Sequence, residues 1–117
     1  MKTYNLDYLK THSPNNPKFV MDIVNMFLSQ TPQYLAEMKK CLADTNWVGL
    51  HGNAHKIRPS IDLIGMSKNI TADVKQIEEY CKELKNLDLI PSLFNNVELA
   101  FLEVYKELEE ELTHANL

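Results

Sequence analysis

Hydrophobic residues recur along this chain at intervals of three and four, which is the spacing of one face of an α-helix. No stretch shows the strict apolar–polar alternation of a half-buried β-strand. The pattern therefore predicts an all-α protein. The clearest stripe belongs to a last helix, predicted from about residue 91 to 113, and consists of Leu93, Val97, Phe101, Val104, Leu108 and Leu112.

Helix-start signals divide the first part of the chain. A short helix is predicted near residues 4–10. The pair Asn16-Pro17 should begin a second helix, because asparagine caps helix N-termini and proline suits the first turn. The pair Thr31-Pro32 repeats this signal and predicts a separate third helix. The two stripes would be Phe19, Ile23 and Phe27, then Tyr34, Leu35, Met38, Cys41 and Leu42.

Two further helices are predicted in the middle of the chain. Asp44, Thr45 or Asn46 could cap a helix from Trp47 to about Ile64, with Gly65 as its stop. Ser67 would cap the next helix, whose stripe is Ile70, Val74, Ile77, Cys81 and Leu84. Short connections between long amphipathic helices favour antiparallel neighbours. The sequence thus predicts an antiparallel four-helix bundle with additional short N-terminal helices, about six helices in all, forming one domain over residues 1–117.

Composition and charge narrow the class of protein. The chain is 44% hydrophobic and 24% charged, which is typical of a globular domain, and its net charge of −4 argues against binding to a nucleic-acid backbone. Cys41 and Cys81 are expected to be reduced core thiols. The start, MKTYNLDYLKTHSP, lacks the apolar run of a signal peptide, and no segment reaches the length of a membrane span. We expect a monomeric cytoplasmic protein with no membrane partner.

The stretch HGNAHKIRPSIDLIGM places histidine and proline inside a predicted helix. The apolar stripe continues on both sides of Pro59, so the helix should kink there rather than end. His55 lies roughly 130° from the centre of this stripe and should face solvent or a shallow groove. Arg58 follows at the edge of the same face, and an ion pair with Asp62 is expected from their i, i+4 spacing. The stripe is Leu50, Ala54, Ile57, Ile61 and Ile64.

Three interpretations of His55 compete. It could be an ordinary surface histidine. With His51, four residues earlier, it could ligate zinc, but no third ligand lies close by and the Glu of an HExxH pattern is missing. His12 and His114 are too unconstrained to complete such a site. Alternatively, the exposed imidazole could take up and pass on a phosphoryl group, with Arg58 as the nearby cation that this chemistry needs.

The segment AHKIRPSIDLIGM resembles the central motif of histidine-containing phosphotransfer (HPt) domains. In that motif Ala-His is followed by x-Leu-Lys-Gly-Ser, with a glycine ten residues after the histidine. Ala54 and His55 match directly, Arg58 stands for the lysine, and Gly65 falls at the tenth place. Ile57 replaces the leucine and Ser60 matches the serine. The upstream spacing, from NLDYL through FVMDIVNMFLSQTPQYL to DTNWVGLHGNAH, is also similar, so the resemblance extends over essentially the whole chain.

The resemblance implies a helical bundle with His55 as phosphoryl acceptor and donor, reacting through Nε2, and Arg58 offsetting the phosphoryl charge. Partners would be receiver domains of response regulators or of a hybrid histidine kinase, in a multistep phosphorelay. The chain has no nucleotide-binding motif and no metal ligands of its own. It is therefore expected to be a phosphocarrier rather than a kinase or other enzyme, with no cofactor and with Mg²⁺ contributed by the receiver.

Two substitutions depart from the family motif. Arg58 keeps the charge of the lysine with a different geometry. Pro59 replaces the glycine that leaves room beside the imidazole, and we expect its bend to serve the same purpose. Ala54, Pro59, Asp62 and Gly65 are accordingly predicted to shape the site. An alternative is a phosphotransfer-inactive adaptor that binds receiver domains without carrying phosphate.

Overall fold

In a computed structural model, residues 3–13 and 15–113 are described, and no β-strand occurs among them. Five α-helices and one 3-10 turn account for most of these residues, which confirms the all-α prediction. The helices are α1 (Asp7–His12), α2 (Pro17–Ala43), α3 (Trp47–Leu63), α4 (Lys68–Glu83) and α5 (Ile90–Thr113), and the 3-10 turn is Leu87–Leu89.

The four long helices pack in a ring. Helix α2 contacts α3, α3 contacts α4, α4 contacts α5, and α5 closes the ring against α2, while the short α1 packs on α2. Phe27 of α2 stacks on Phe101, 5.8 Å between ring centroids, and Lys39, further along α2, pairs with Glu98 at 3.7 Å. Three successive reversals of direction, at residues 44–46, 64–67 and 84–89, leave α5 antiparallel to α2. Short connections at residues 44–46 and 64–67 make α3 and α4 antiparallel to their predecessors.

Helix α2 differs from the prediction of two helices. It runs without interruption from Pro17 to Ala43, and Pro32 lies inside it. Proline has no backbone N–H, so the Leu28 carbonyl lacks its usual intrahelical hydrogen bond. The Thr31 hydroxyl instead donates to the Phe27 carbonyl at 2.6 Å, and it also contacts the Tyr105 hydroxyl at 2.6 Å. Thr31 thus joins α2 to α5 rather than capping a new helix.

The buried face of α2 agrees only in part with the predicted one: Phe27 is buried as predicted, but the residues before it differ. Phe19 is exposed and Ile23 only half-buried, whereas Val20 and Val24 are in the core. Only this set continues at helical spacing through Thr31 into the second half of the helix. The buried residues of α2 are Val20, Val24, Phe27, Thr31, Leu35, Met38 and Cys41.

The other helix ends mostly follow the sequence signals. Asn16 accepts a hydrogen bond from the Phe19 amide at 3.1 Å, Asn46 from the Gly49 amide at 3.0 Å, and Ser67 from the Asn69 amide at 3.2 Å. Of the three candidates before Trp47, therefore, Asn46 is the cap. Leu84 was predicted to be in the core but ends α4 in the left-handed conformation, at φ 54°, and is exposed.

A helix was predicted near residues 4–10, but residues 4–6 are not helical and α1 runs from Asp7 to His12. Tyr4 and Leu6 are nevertheless buried in the core. The Asn5 amide donates to the Ile64 carbonyl at 2.9 Å, next to the predicted stop residue Gly65. Thr3 donates to Glu107 of α5 through its amide, at 2.8 Å, and its hydroxyl, at 2.6 Å. This segment therefore ties the α3–α4 turn to α5.

Both cysteines are free and buried, as predicted. Burial raises the pKa of the Cys81 thiol to about 11, and the neighbouring Cys41 adds to this shift. Burial also raises the pKa of Cys41. Thiols of this kind are poorly ionised near neutral pH and behave as core residues. None of the helices in the described part of the chain combines the length and hydrophobicity that crossing a membrane requires.

Candidate functional site

His55 lies on the outer side of α3, as its helical spacing predicted. Leu50, Ala54, Ile57 and Ile61 turn inward and are fully buried. The His55 side chain, in contrast, is 70% exposed. An imidazole in this position is accessible to another macromolecule without any change in the fold.

Pro59 stands inside α3, one turn after His55, and the helix continues beyond it to Leu63. Proline has no N–H, so the His55 carbonyl cannot receive the usual hydrogen bond from the residue four positions on. Pro59 is itself exposed. The missing backbone hydrogen bond therefore lies in the turn of α3 that contains His55.

Glu78 of α4 is a member of this site that the sequence analysis missed. Its Oε1 lies 3.0 Å from His55 Nδ1, and its side chain is only 10% exposed. One signal pointed to it: residue 78 lies four residues after Val74 and three before Cys81, so a charged residue occupies a core-facing position. The inter-helix register that brings it to His55 could not be read from the sequence.

The hydrogen bond to Glu78 determines which ring nitrogen of His55 is available. A carboxylate can only accept hydrogen bonds, so Nδ1 must carry the proton and donate. In the neutral imidazole, the other nitrogen, Nε2, then holds the lone pair. The exposed ring therefore offers Nε2 to solvent as a nucleophile or base.

Arg58 binds the same carboxylate. Its Nη1 donates to the second oxygen of Glu78, Oε2, at 3.0 Å, so His55 and Arg58 are held side by side. The predicted ion pair between Arg58 and Asp62 is not formed, and Asp62 is exposed. Glu78 is the stronger partner because it is mostly buried, where a carboxylate is poorly stabilised unless it is paired and hydrogen-bonded.

An open cleft of about 300 Å³ runs beside this cluster between α3 and α4. Its lining residues are His51, Arg58, Lys75, Glu78, Glu79, Lys82 and Glu83. Over the described residues, no group of three or more His, Cys, Asp and Glu side chains is arranged to bind a metal ion. His51 lies in the cleft, and His114 lies outside the described residues. Zinc ligation by His51 and His55 thus finds no third ligand in this part of the chain.

The outward surface of α3 around His55 is formed by Val48, Gly52, His55, Lys56 and Pro59, and we call it the His55 face. Val48 is 85% exposed. A Cβ added to Gly52 would meet no atom within 4 Å, so this glycine is not required by packing within the chain. The imidazole is therefore flanked by small or apolar groups along the helix.

The two remaining site-shaping candidates have structural positions. Ala54 is fully buried against the core behind His55. Gly65 adopts φ +68° in the α3–α4 turn, where an added Cβ would overlap the backbone carbonyl of Asn5. Neither residue reaches the imidazole directly, so any influence on the site is exerted through the placement of α3.

Comparison with protein-family models, with curated protein sequences and with solved structures found no match to this chain.

Proposed function

We propose that this chain is a phosphorelay intermediate, which accepts a phosphoryl group on His55 from an aspartyl phosphate of a receiver domain and passes it to a second receiver. The observation that carries this proposal is the pairing of the exposed His55 ring with the buried Glu78 carboxylate through Nδ1. An ordinary surface histidine needs no such partner.

The transfer can be written with balanced atoms. Nε2 of His55 attacks the phosphorus atom in line, the N–P bond forms, and the acyl P–O bond breaks to release the aspartate carboxylate. The proton on Nδ1 remains on the ring, hydrogen-bonded to Glu78, and the developing positive charge of the imidazole is offset by that carboxylate. This arrangement parallels the orienting carboxylate of Ser-His-Asp triads. The reverse step delivers the phosphoryl group to an aspartate of the second receiver.

Arg58 supplies a positive charge beside the reacting ring. It is three residues from His55 on the same helix and is held by Glu78. Its guanidinium can offset charge on the equatorial oxygens of the phosphoryl group in the transition state. Mg²⁺ would belong to the receiver domain. The chain thus functions as a carrier of phosphate and not as a kinase.

The decisive experiment is phosphorylation of the chain by a panel of receiver domains loaded with radiolabelled acetyl phosphate. We expect acid-labile, base-stable label that His55→Gln abolishes without loss of helix content. His51→Gln, one turn away, is the matched control and should retain the label. Label that persists in His55→Gln would contradict the assignment. If receivers bind the chain but never label it, the phosphotransfer-inactive adaptor is the correct function.

Glu78→Gln tests the role of the carboxylate. The amide can still meet Nδ1 but no longer offsets charge on the ring, so the rate of labelling should fall by roughly tenfold or more. Glu79→Gln, on the exposed side of α4, should label like the unmodified chain. Equal rates for both variants would show that the ring works without its carboxylate partner.

A further inference from the structure

Helix α5 is longer than the helix on which it packs. It has 24 residues and α4 has 16, so at about 1.5 Å per residue they are roughly 36 and 24 Å long. The short segment 84–89 joins the two antiparallel helices, so they are level at that end of the bundle. The last two turns of α5, about residues 106–113, therefore extend past the start of α4. The N-terminal segment covers one side of these turns through the bonds from Thr3 to Glu107.

The outward side of α5 has an apolar part followed by an acidic part. Leu99 and Leu102 are 57% and 52% exposed. A shallow depression of about 510 Å³ continues from Leu102 over the last turns, and the described residues that line it all belong to α5. We call this surface the α5 face, and its exposed residues are Leu99, Leu102, Glu103, Lys106, Glu109 and Glu110.

The charges of α5 are placed against the stability of the helix itself. The helix contains six glutamates and one lysine, a net charge of −5, whereas the whole chain carries −4. Three of the glutamates, at positions 109–111, lie at its C-terminal end, where the helix dipole is negative and favours cations. No basic residue occupies the last turn of α5. A cationic group from another molecule would relieve this accumulation of negative charge.

We propose that the α5 face is a docking surface for a basic amphipathic helix of another protein. Leu99 and Leu102 pack against the apolar side of that helix, and Glu103 and Glu109 pair with its lysines or arginines. Helices are bound in this way through apolar anchors at intervals of three and four residues. A second copy of the chain fits less well, because two α5 faces would bring like charges together.

The α5 face lies away from His55. Helices α3 and α5 pack against the same two helices, α2 and α4, so they are diagonal in the ring. A partner on the α5 face therefore leaves the His55 face open, and both surfaces can be occupied at once. The inference is independent of the proposed function, since it holds whether or not His55 carries phosphate.

The test measures binding of a fluorescein-labelled helical peptide with leucines on one side and lysines on the other. Fluorescence anisotropy at physiological salt should detect binding of this peptide, and none of a matched peptide with glutamates in place of the lysines. Leu102→Gln should weaken binding about tenfold, whereas Leu84→Gln, at an exposed leucine that ends α4, should leave it unchanged. Glu109→Gln should weaken binding about threefold, whereas Glu79→Gln, beside the α3–α4 cleft, should not.

Four results would overturn the proposal. The lysine peptide could fail to bind, or the two glutamate variants, or the two leucine variants, could weaken its binding equally, which would indicate nonspecific attraction to an acidic protein. Amide chemical-shift changes concentrated on α3 would place the peptide on the His55 face instead. A dimer of the chain that Leu102→Gln disrupts would show that a second copy occupies the α5 face.

Discussion

At the residue scale, the site depends on one buried carboxylate shared by two side chains. Glu78 orients the imidazole of His55 through one oxygen and holds Arg58 through the other, both at 3.0 Å. Removal of either partner leaves the carboxylate with half of its hydrogen bonds in a poorly solvated position. Glu78 therefore both orients the His55 ring and stabilises the contact between α3 and α4.

This arrangement predicts a larger effect of Arg58→Ala on stability than an exposed helix pair would give. The pair with Asp62 expected from the sequence would contribute only about 0.2–0.5 kcal/mol. Loss of the bond to buried Glu78 should instead lower the free energy of unfolding by about 1–3 kcal/mol. It should also slow phosphoryl transfer to His55 by about tenfold. Urea denaturation and labelling time courses measure the two effects.

Asp62→Ala is the matched control for this prediction. Because Asp62 is exposed and forms no ion pair with Arg58, its removal should change the unfolding free energy by less than about 0.5 kcal/mol. If Asp62→Ala destabilised the chain as much as Arg58→Ala, Glu78 would not be the dominant partner of Arg58 in solution.

The exposed position of His55 could be predicted from the sequence because it depends only on the geometry of one helix. The core stripe and the offset of residue 55 from it are local properties with a fixed period. The pairing with Glu78 could not be predicted in this way, since residues 55 and 78 meet only through the relative rotation and register of α3 and α4. The i, i+4 rule suggested Asp62, a local partner, where a distant and more buried one is bound.

At the scale of elements, two interior prolines were predicted to act differently. Pro32 was expected to start a helix, which is wrong because α2 runs through it, whereas α3 continues past Pro59 as predicted. The preceding Thr31 resembles an N-cap in sequence. Its hydroxyl is used for other contacts because burial of Val20, Val24 and Phe27 on the same face as Leu35 favours one continuous helix. Tertiary packing thus outweighs the local signal.

Alanine substitutions of the two prolines form a matched pair of variants. An interior proline destabilises a helix by up to about 3 kcal/mol relative to alanine, so Pro59→Ala and Pro32→Ala should each keep or raise the melting temperature. If the proposed function is correct, only Pro59→Ala should lower the rate of phosphotransfer, because Pro59 lies one turn from His55. Pro59→Gly should transfer at nearly the original rate, since it adds no side chain beside the imidazole.

Thermal melts and transfer time courses on the three variants decide between a functional and a structural role. Normal transfer by Pro59→Ala together with a much lower melting temperature would mean that Pro59 serves packing. A loss of transfer in Pro32→Ala equal to that in Pro59→Ala would mean that the effect reflects general helix geometry and not the surroundings of His55.

At the scale of the whole molecule, the N-terminal segment connects the α3–α4 turn to α5. Asn5 is bonded to Ile64 at the end of α3, and Thr3 to Glu107 of α5. Tyr4 and Leu6 of the same segment are buried in the core. Periodicity could not predict this segment, because a non-helical segment at the end of a bundle has no repeating pattern. Its position depends on Gly65, which leaves space for the Asn5 backbone.

Substitution of Gly65 should therefore loosen the N-terminal segment. Its φ of +68° disfavours any residue with a side chain, and a Cβ there would overlap the Asn5 carbonyl. Gly65→Ala should lower the free energy of unfolding by about 2 kcal/mol or more, and the Asn5 amide should exchange hydrogen faster as its bond to Ile64 loosens. Gly52→Ala is the control, because its Cβ would enter open space on a helix and should stabilise the chain by up to about 1 kcal/mol. Urea denaturation and amide hydrogen exchange measure these effects. Equal stability of the two alanine variants, or an Asn5 amide that stays protected in Gly65→Ala, would show that Gly65 does not hold the N-terminal segment.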